Sequence, residues 1–202
     1  VAFKLCHALI KRLREQGHSA AAGFDLRQHL FGVAVGTVCD MVPLRGENRI
    51  LVRRGLERGI PAAPPGWAAL ADVCRLRGPV QASDLGFRLG PRLNAAGRLE
   101  TASSALRMLL TRDAGEAQRL AGELDDINRE RQTLERRIAG EAEEQVEQWF
   151  DPRTHYAVVA AAPDWHPGVV GIVASRLAKR FRRPAAVIAL GADGSGKGSC
   201  RS

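Results

Sequence analysis

The chain has 202 residues, 45% of them hydrophobic, enough for one large domain or two small ones with a true core. No apolar run approaches the ~18 residues of a membrane-spanning helix, which argues against an integral membrane protein of the helical kind. Net charge is +8 but unevenly placed, +9 over residues 1–112, −6 over 113–150 and +5 over 151–202, so two basic lobes flank an acidic connector. Basic lobes suit a polyanionic partner, although an arginine- and alanine-rich composition produces part of the same excess.

Residues 1–16 read as an amphipathic helix, with Phe3, Leu5, Cys6, Leu9, Ile10 and Leu13 at helical spacing and Gly17 as its stop. There is no charged-then-apolar leader in this stretch. Residues 31–38 (FGVAVGTV) are short, apolar and valine-rich, which predicts a buried strand. Asp40 then lies just past its end, where open α/β sheets place ligands; it reads either as a metal ligand or as the cap of a following turn. Asn48 is positioned to cap a helix over 49–57, residues 59–66 form a Pro/Gly-rich linker, and 67–77 form another helix carrying Trp67, Leu70, Ala71 and Cys74 on one side.

The stretch 87–98, FRLGPRLNAAGR, gathers Arg88, Arg92, Arg98 and Asn94 among small residues. Gly90-Pro91 predicts a break in any regular element, and Gly97 allows close backbone approach. Such a loop suits a phosphate, or it is a basic surface loop between helices. Thr101 is expected to cap a helix running to Leu110 that buries Ala105, Leu106, Leu109 and Leu110. Asp113 followed by Glu116 starts a connector to Trp149 free of proline, with apolar positions stepping by three and four. Residues 156–162 and 185–190 read as strands around a helix that begins near Pro167, a parallel α/β unit; a turn over 191–196 leads to another strand from Lys197.

Two weak anion signals lie in the last lobe. Residues 165–171 (WHPGVVG) place small residues at an open helix N-terminus, and residues 198–202 (GSCRS) flank a guanidinium with two hydroxyls. His166 before Pro-Gly reads as a cap or as a functional imidazole. The four cysteines, Cys6, Cys39, Cys74 and Cys200, form no CxxC pair. That argues against zinc and against a disulfide framework, and points to a reducing, cytoplasmic compartment.

Taken together, GTVCDMVPLRGENR, GFRLGPRLNAAGRL, the long connector and DWHPGVVGIVASRLAKRFRRPAAVI followed by KGSCRS resemble the DHH/DHHA1 phosphoesterase family, and within it the single-strand-specific 5′→3′ DNA exonucleases. The resemblance implies an α/β fold: the C-terminal portion of a parallel-sheet DHH domain over 1–112, a connecting helix over 113–150 and the N-terminal portion of an α/β DHHA1 domain over 151–202, with single-stranded DNA passing between the domains. It implies a two-metal site, Mn²⁺ or Mg²⁺, with Asp40 as a ligand. Arg92, Asn94 and Arg98 would face the scissile phosphate, with Arg88 and His166 on the DNA path. Ser199, Arg201 and Ser202 would hold the 5′ phosphate. Three departures stand out: the DHH and Asp-x-Asp signatures are not among these residues, Cys200 replaces the glycine of an S-G-R-S element, and the OB-fold that the resemblance implies is not among these residues either. The chain is therefore expected to be an internal fragment, inactive by itself because one aspartate cannot hold two metals. A monomer is expected, with a helicase or single-strand-binding protein as a possible companion. The competing readings are a phosphodiesterase of short RNA or cyclic dinucleotides, and a non-catalytic module that binds single-stranded DNA.

Overall fold

The computed structural model describes residues 1–60, 64–99 and 101–202. Two units form, one from Val1–Asn94 with Ala102–Asp125 and the other from Ala95–Thr101 with Asp126–Ser202.

The first unit is helical. Helix α1, Ala2–Glu15, stops at Gly17, whose φ of +76° lets the Gly17 N–H reach Arg14 O and the His18 N–H reach Leu13 O, both at 3.0 Å. The short α2, Ser19–Ala22, is tied back by the Arg14 guanidinium on the carbonyls of Ala21 and Phe24, at 2.8 and 2.6 Å. After a 3₁₀ turn over Leu26–His29 comes α3, Leu30–Cys39. The strand expected over 31–38 is thus a helix. Leu30, Phe31, Ala34 and Val35 form its buried side and pack on α4, Gly46–Arg58. Contact is close because Gly55 has no side chain: a Cβ there would lie 2.3 Å from Leu30 O. An eight-residue apolar run has the same composition in a buried strand and in a buried helix, so only its packing partner distinguishes them. Helix α4 also starts earlier than expected, with Arg45 at the N-cap. Asn48 lies inside its first turn, with Nδ2 donating to Pro43 O at 3.1 Å.

Residues 61–63 of the expected linker lie outside the described residues. Helix α5, Pro65–Val73, begins on proline, where the missing N–H costs nothing, and sets Trp67 edge-on to Phe31 with ring centres 5.1 Å apart. Helix α6, Ala82–Asp84, leads into a π-helical segment, Leu85–Leu89, and then directly into α7, Gly90–Leu99. The break expected at Gly90-Pro91 does not occur. The wide π turn bonds the Gly90 N–H to Leu85 O, five residues back, and Pro91 falls in the first turn of α7, where its ring and missing donor are tolerated. Helix α8, Ser103–Leu110, has Ala102 rather than Thr101 at its N-cap. It buries Ala105 and Met108 while Leu106 and Leu110 stay exposed, because Gly66 of α5 lies against the Met108 carbonyl and sets which side faces inward.

Helix α9, Ala114–Glu147, runs unbroken for 34 residues, about 50 Å at 1.5 Å per residue. Asp113 caps it, with Oδ1 accepting the Glu116 N–H at 2.6 Å. The Glu116 carboxylate turns to Thr111 and Arg107 instead of closing a capping box. No helix among the described residues is long and apolar enough to cross a membrane.

The second unit is a small mixed sheet covered by helices. Strands β1 (Val158–Ala162), β2 (Ala185–Leu190) and β3 (Gly196–Arg201) lie in that order. β1 and β2 are parallel with Val158 opposite Ala185, joined through α10, Val170–Phe181. β3 returns antiparallel with Ala185 opposite Arg201. Ile138 and Val146 of α9, Val173 and Leu177 of α10, and Val158 and Val187 of the sheet make the core. Glu143 of α9 binds Arg176 at 2.8 Å and Arg180 at 2.5 Å, and Gln145 pairs with the backbone of Ala161 through both side-chain groups. Together with the helical first unit this is an α/β fold.

Candidate nucleic-acid interface

The second unit builds an anion cradle from its sequence pattern. Residues alternate across β3, so Ser199 and Arg201 share one face and Cys200 takes the other. That shared face meets the start of α10. A Cβ on Gly171 would stand 3.3 Å from Ser199 Oγ and 3.5 Å from Arg201 Nη2, so a side chain there would press on the hydroxyl and lie in contact with the guanidinium. Val169 at the N-cap supplies no side-chain bond, and the Val170 and Gly171 amides have no acceptor among the described residues. Two backbone donors at a helix N-terminus, a hydroxyl and a guanidinium thus converge, which is chemistry for a phosphate. Cys200, exposed on the opposite face, does not crowd this cradle. Ser202 follows the strand and is exposed.

Just before α10, the turn over 164–168 is held from several sides. Trp165 is buried and its indole N–H donates to Glu141 Oε2 of α9 at 2.7 Å. That bond, with help from Arg137 at 2.9 Å, holds the Glu141 carboxyl below the ordinary glutamate range against the opposing effect of desolvation. Arg137 also reaches Asp164 O. His166 Nδ1 accepts the Gly168 N–H at 3.1 Å, so a neutral ring carries its proton on Nε2. The C-terminal end of α7 abuts the same turn: Arg98 is exposed and its Nη1 donates to Gly168 O at 3.3 Å.

In the first unit, Asp40 is exposed at the C-cap of α3 rather than at a strand end. Its neighbour Cys39 donates to Leu85 O at 3.4 Å and presses on Gly90, where a Cβ would lie 2.4 Å from its sulfur. Burial pushes the Cys39 and Cys74 thiols up. Asp40 is therefore fixed to the beginning of α7. Arg88 and Arg92 turn inward. Arg88 donates to Asp84 and to the carbonyls of Cys74 and Arg75. Arg92 donates to buried Asp125 at 2.8 Å and to Arg88 O at 2.8 Å. Asn94 is exposed. The expected basic loop is thus helix, and all three of its guanidinium groups donate to acceptors inside the protein, with only that of Arg98 on an exposed residue.

Asp40 can offer one carboxylate, but among the described residues no three His, Cys, Asp or Glu side chains come together as a metal site. This donor set does not by itself make a two-metal centre. Sequence reasoning marked Trp165, Gly168 and Gly171 within the 165–171 anion signal but missed Glu141 and Asp125 as parts of the frame. Those two become partners through contacts distant in the chain.

No family model matches the chain. Over its whole length it is 41% identical to the single-stranded-DNA-specific exonuclease RecJ of Bacillus subtilis (strain 168), of which it spans 24%. It is 46% identical to the protein of the same name from Dickeya dadantii (strain 3937), of which it spans 36%. A crystal structure of exonuclease RecJ bound to manganese is similar with a TM-score of 0.82 at 41% identity, covering all of this chain and 47% of that one. RecJ of Thermus thermophilus in complex with Mg²⁺ gives 0.75 at 41% identity, over 87% of this chain and 27% of that one. The chain spans about a quarter to a third of these curated relatives.

Proposed function

We propose that this chain, homologous along its whole length to a stretch of the RecJ exonucleases, is the phosphate-gripping part of a single-stranded-DNA-specific 5′→3′ exonuclease. The observation that carries this reading, beside the homology, is the cradle of Ser199, Arg201 and the α10 amides. Ser199, Arg201 and the terminal Ser202 hold the 5′ phosphate. His166 and Arg98 offer donors to the backbone that follows, and Asn94 offers another. Arg88 and Arg92 neutralise charge less directly, as cations that fix the shape of the π segment and α7. A pair of divalent ions, Mn²⁺ or Mg²⁺, would supply water activation and charge stabilisation to the exonuclease, but would need ligands beyond those gathered among the described residues of this chain. Asp40 is the residue here that would ligate one of them. With one such carboxylate the chain binds DNA but does not hydrolyse it.

Fluorescence anisotropy tests the reading. The chain is expected to bind a 5′-phosphorylated single-stranded oligonucleotide more tightly than its 5′-hydroxyl counterpart or a blunt duplex. Arg201→Ala should cost about tenfold in affinity for the phosphorylated strand alone, as removal of a charge-assisted bond does. Equal binding of all three oligonucleotides would overturn the assignment.

A further inference from the structure

We infer that Glu141 is a positioning residue which, through the buried Trp165 indole, sets the turn that presents His166 to the DNA phosphate. The inference rests on the proposed DNA-binding function and adds to it a part played by the connector helix. Glu141 lies on α9, 24 residues before Trp165, and touches no exposed donor of the cradle itself. Its reach is indirect. Oε2 takes the Trp165 N–H at 2.7 Å while Oε1 takes Arg137 at 2.9 Å, and Arg137 extends to Asp164 O at 3.4 Å. The two residues preceding His166 are therefore both tethered to one turn of α9.

The opposite side of the turn is equally constrained. Gly168 lies so close to α7 that a Cβ would stand 2.0 Å from Arg98 O, and the Gly168 N–H is used by His166 Nδ1. His166 thus has one ring nitrogen committed to its own turn, and the orientation of Nε2 follows from how that turn is seated. Without the acceptor at Glu141, the indole N–H of a residue 4% exposed would lose its partner, and an unsatisfied buried donor is relieved by movement of the ring and of the backbone beside it. A shift of the imidazole by a fraction of an ångström is enough to weaken a phosphate contact.

The test uses the 202-residue chain, a 5′-phosphorylated single-stranded oligonucleotide as probe, anisotropy for affinity and ¹⁵N–¹H spectra of the His166 ring for its tautomer and environment. In folded Glu141→Ala the His166 signals should shift and affinity fall by about five- to tenfold, the scale of one ordinary hydrogen bond. Glu141→Gln keeps an acceptor for the indole and should retain most of the affinity. In a His166→Ala background, Glu141→Ala should cost nothing further. Full wild-type affinity in folded Glu141→Ala, or a loss that adds in full to that of His166→Ala, would overturn the inference while leaving DNA binding intact. If the wild-type chain does not bind the probe, the functional reading itself fails. Should Glu141→Ala not fold, Glu141→Leu, which keeps much of the side chain's bulk and removes the acceptor, serves in its place with the same expected loss.

Discussion

A methyl group at position 168 would lie 2.0 Å from the Arg98 carbonyl oxygen and 2.9 Å from its carbon. Backbone atoms held by α7 cannot yield to it cheaply. Gly168→Ala is expected to destabilise the chain by about 1–3 kcal/mol, as overpacking does, read as a lowered thermal midpoint. Arg92 gives a second residue-scale prediction. Its partner Asp125 is buried, so Arg92→Ala removes the cation 2.8 Å from a desolvated carboxylate. A loss on the order of 3 kcal/mol in chemical denaturation is expected. A variant as stable as the wild type would return Arg92 to the role of a free phosphate ligand. The sequence showed Arg92 as a cation but not its acceptor, because Asp125 is 33 residues away.

Among elements, α9 shows both how much was legible and why the rest was not. Its start at Asp113, its freedom from proline and its three-four apolar spacing were all local signals, and the helix runs from Ala114 to Glu147. Asp113→Ala should cost about 1 kcal/mol by removing the cap on the Glu116 N–H, measurable by thermal denaturation. The residues 31–38 show the opposite case, since nothing in an apolar run tells a buried helix from a buried strand until Gly55 of α4 is brought against Leu30. Acid titration checks the link from α9 to the turn over 164–168. The Trp165 bond lowers the Glu141 carboxyl in the folded chain. The stability this contributes is complete above the ordinary glutamate range and is lost as pH falls through the lower, folded value. The Trp165 indole cross-peak should therefore hold its position on acidification until pH is below the usual carboxylate range. Movement at higher pH would show that Glu141 is not the group it reports.

At the scale of the whole molecule, charge dominates. A net charge of +8, with the excess in the segments on either side of α9, predicts DNA binding that weakens linearly in log Kd against log salt. Titrations between about 50 and 200 mM salt should show a slope of several units if several phosphates are neutralised. Affinity insensitive to salt would show that the basic segments do not bind a polyanion. Incubation with Mn²⁺ should leave bound single-stranded DNA uncut, since among the described residues no three His, Cys, Asp or Glu side chains come together as a metal site.

What the sequence determined by itself was whatever depends on neighbours a few residues apart: the cap and length of α9, the β1–α10–β2 crossover, the turn into β3, and the placing of Ser199 and Arg201 two residues apart on one face of a strand. The blocks that resemble the phosphoesterase family were legible for the same reason, being contiguous. Tertiary structure decided what depends on residues far apart. It made residues 31–38 a helix, carried α7 through Gly90-Pro91 by way of a π turn, turned Arg88 and Arg92 inward to acceptors, and placed Glu141 under the indole beside His166. A buried apolar residue or a guanidinium is stabilised by whichever partner the fold brings to it, and the chain's local pattern does not name that partner.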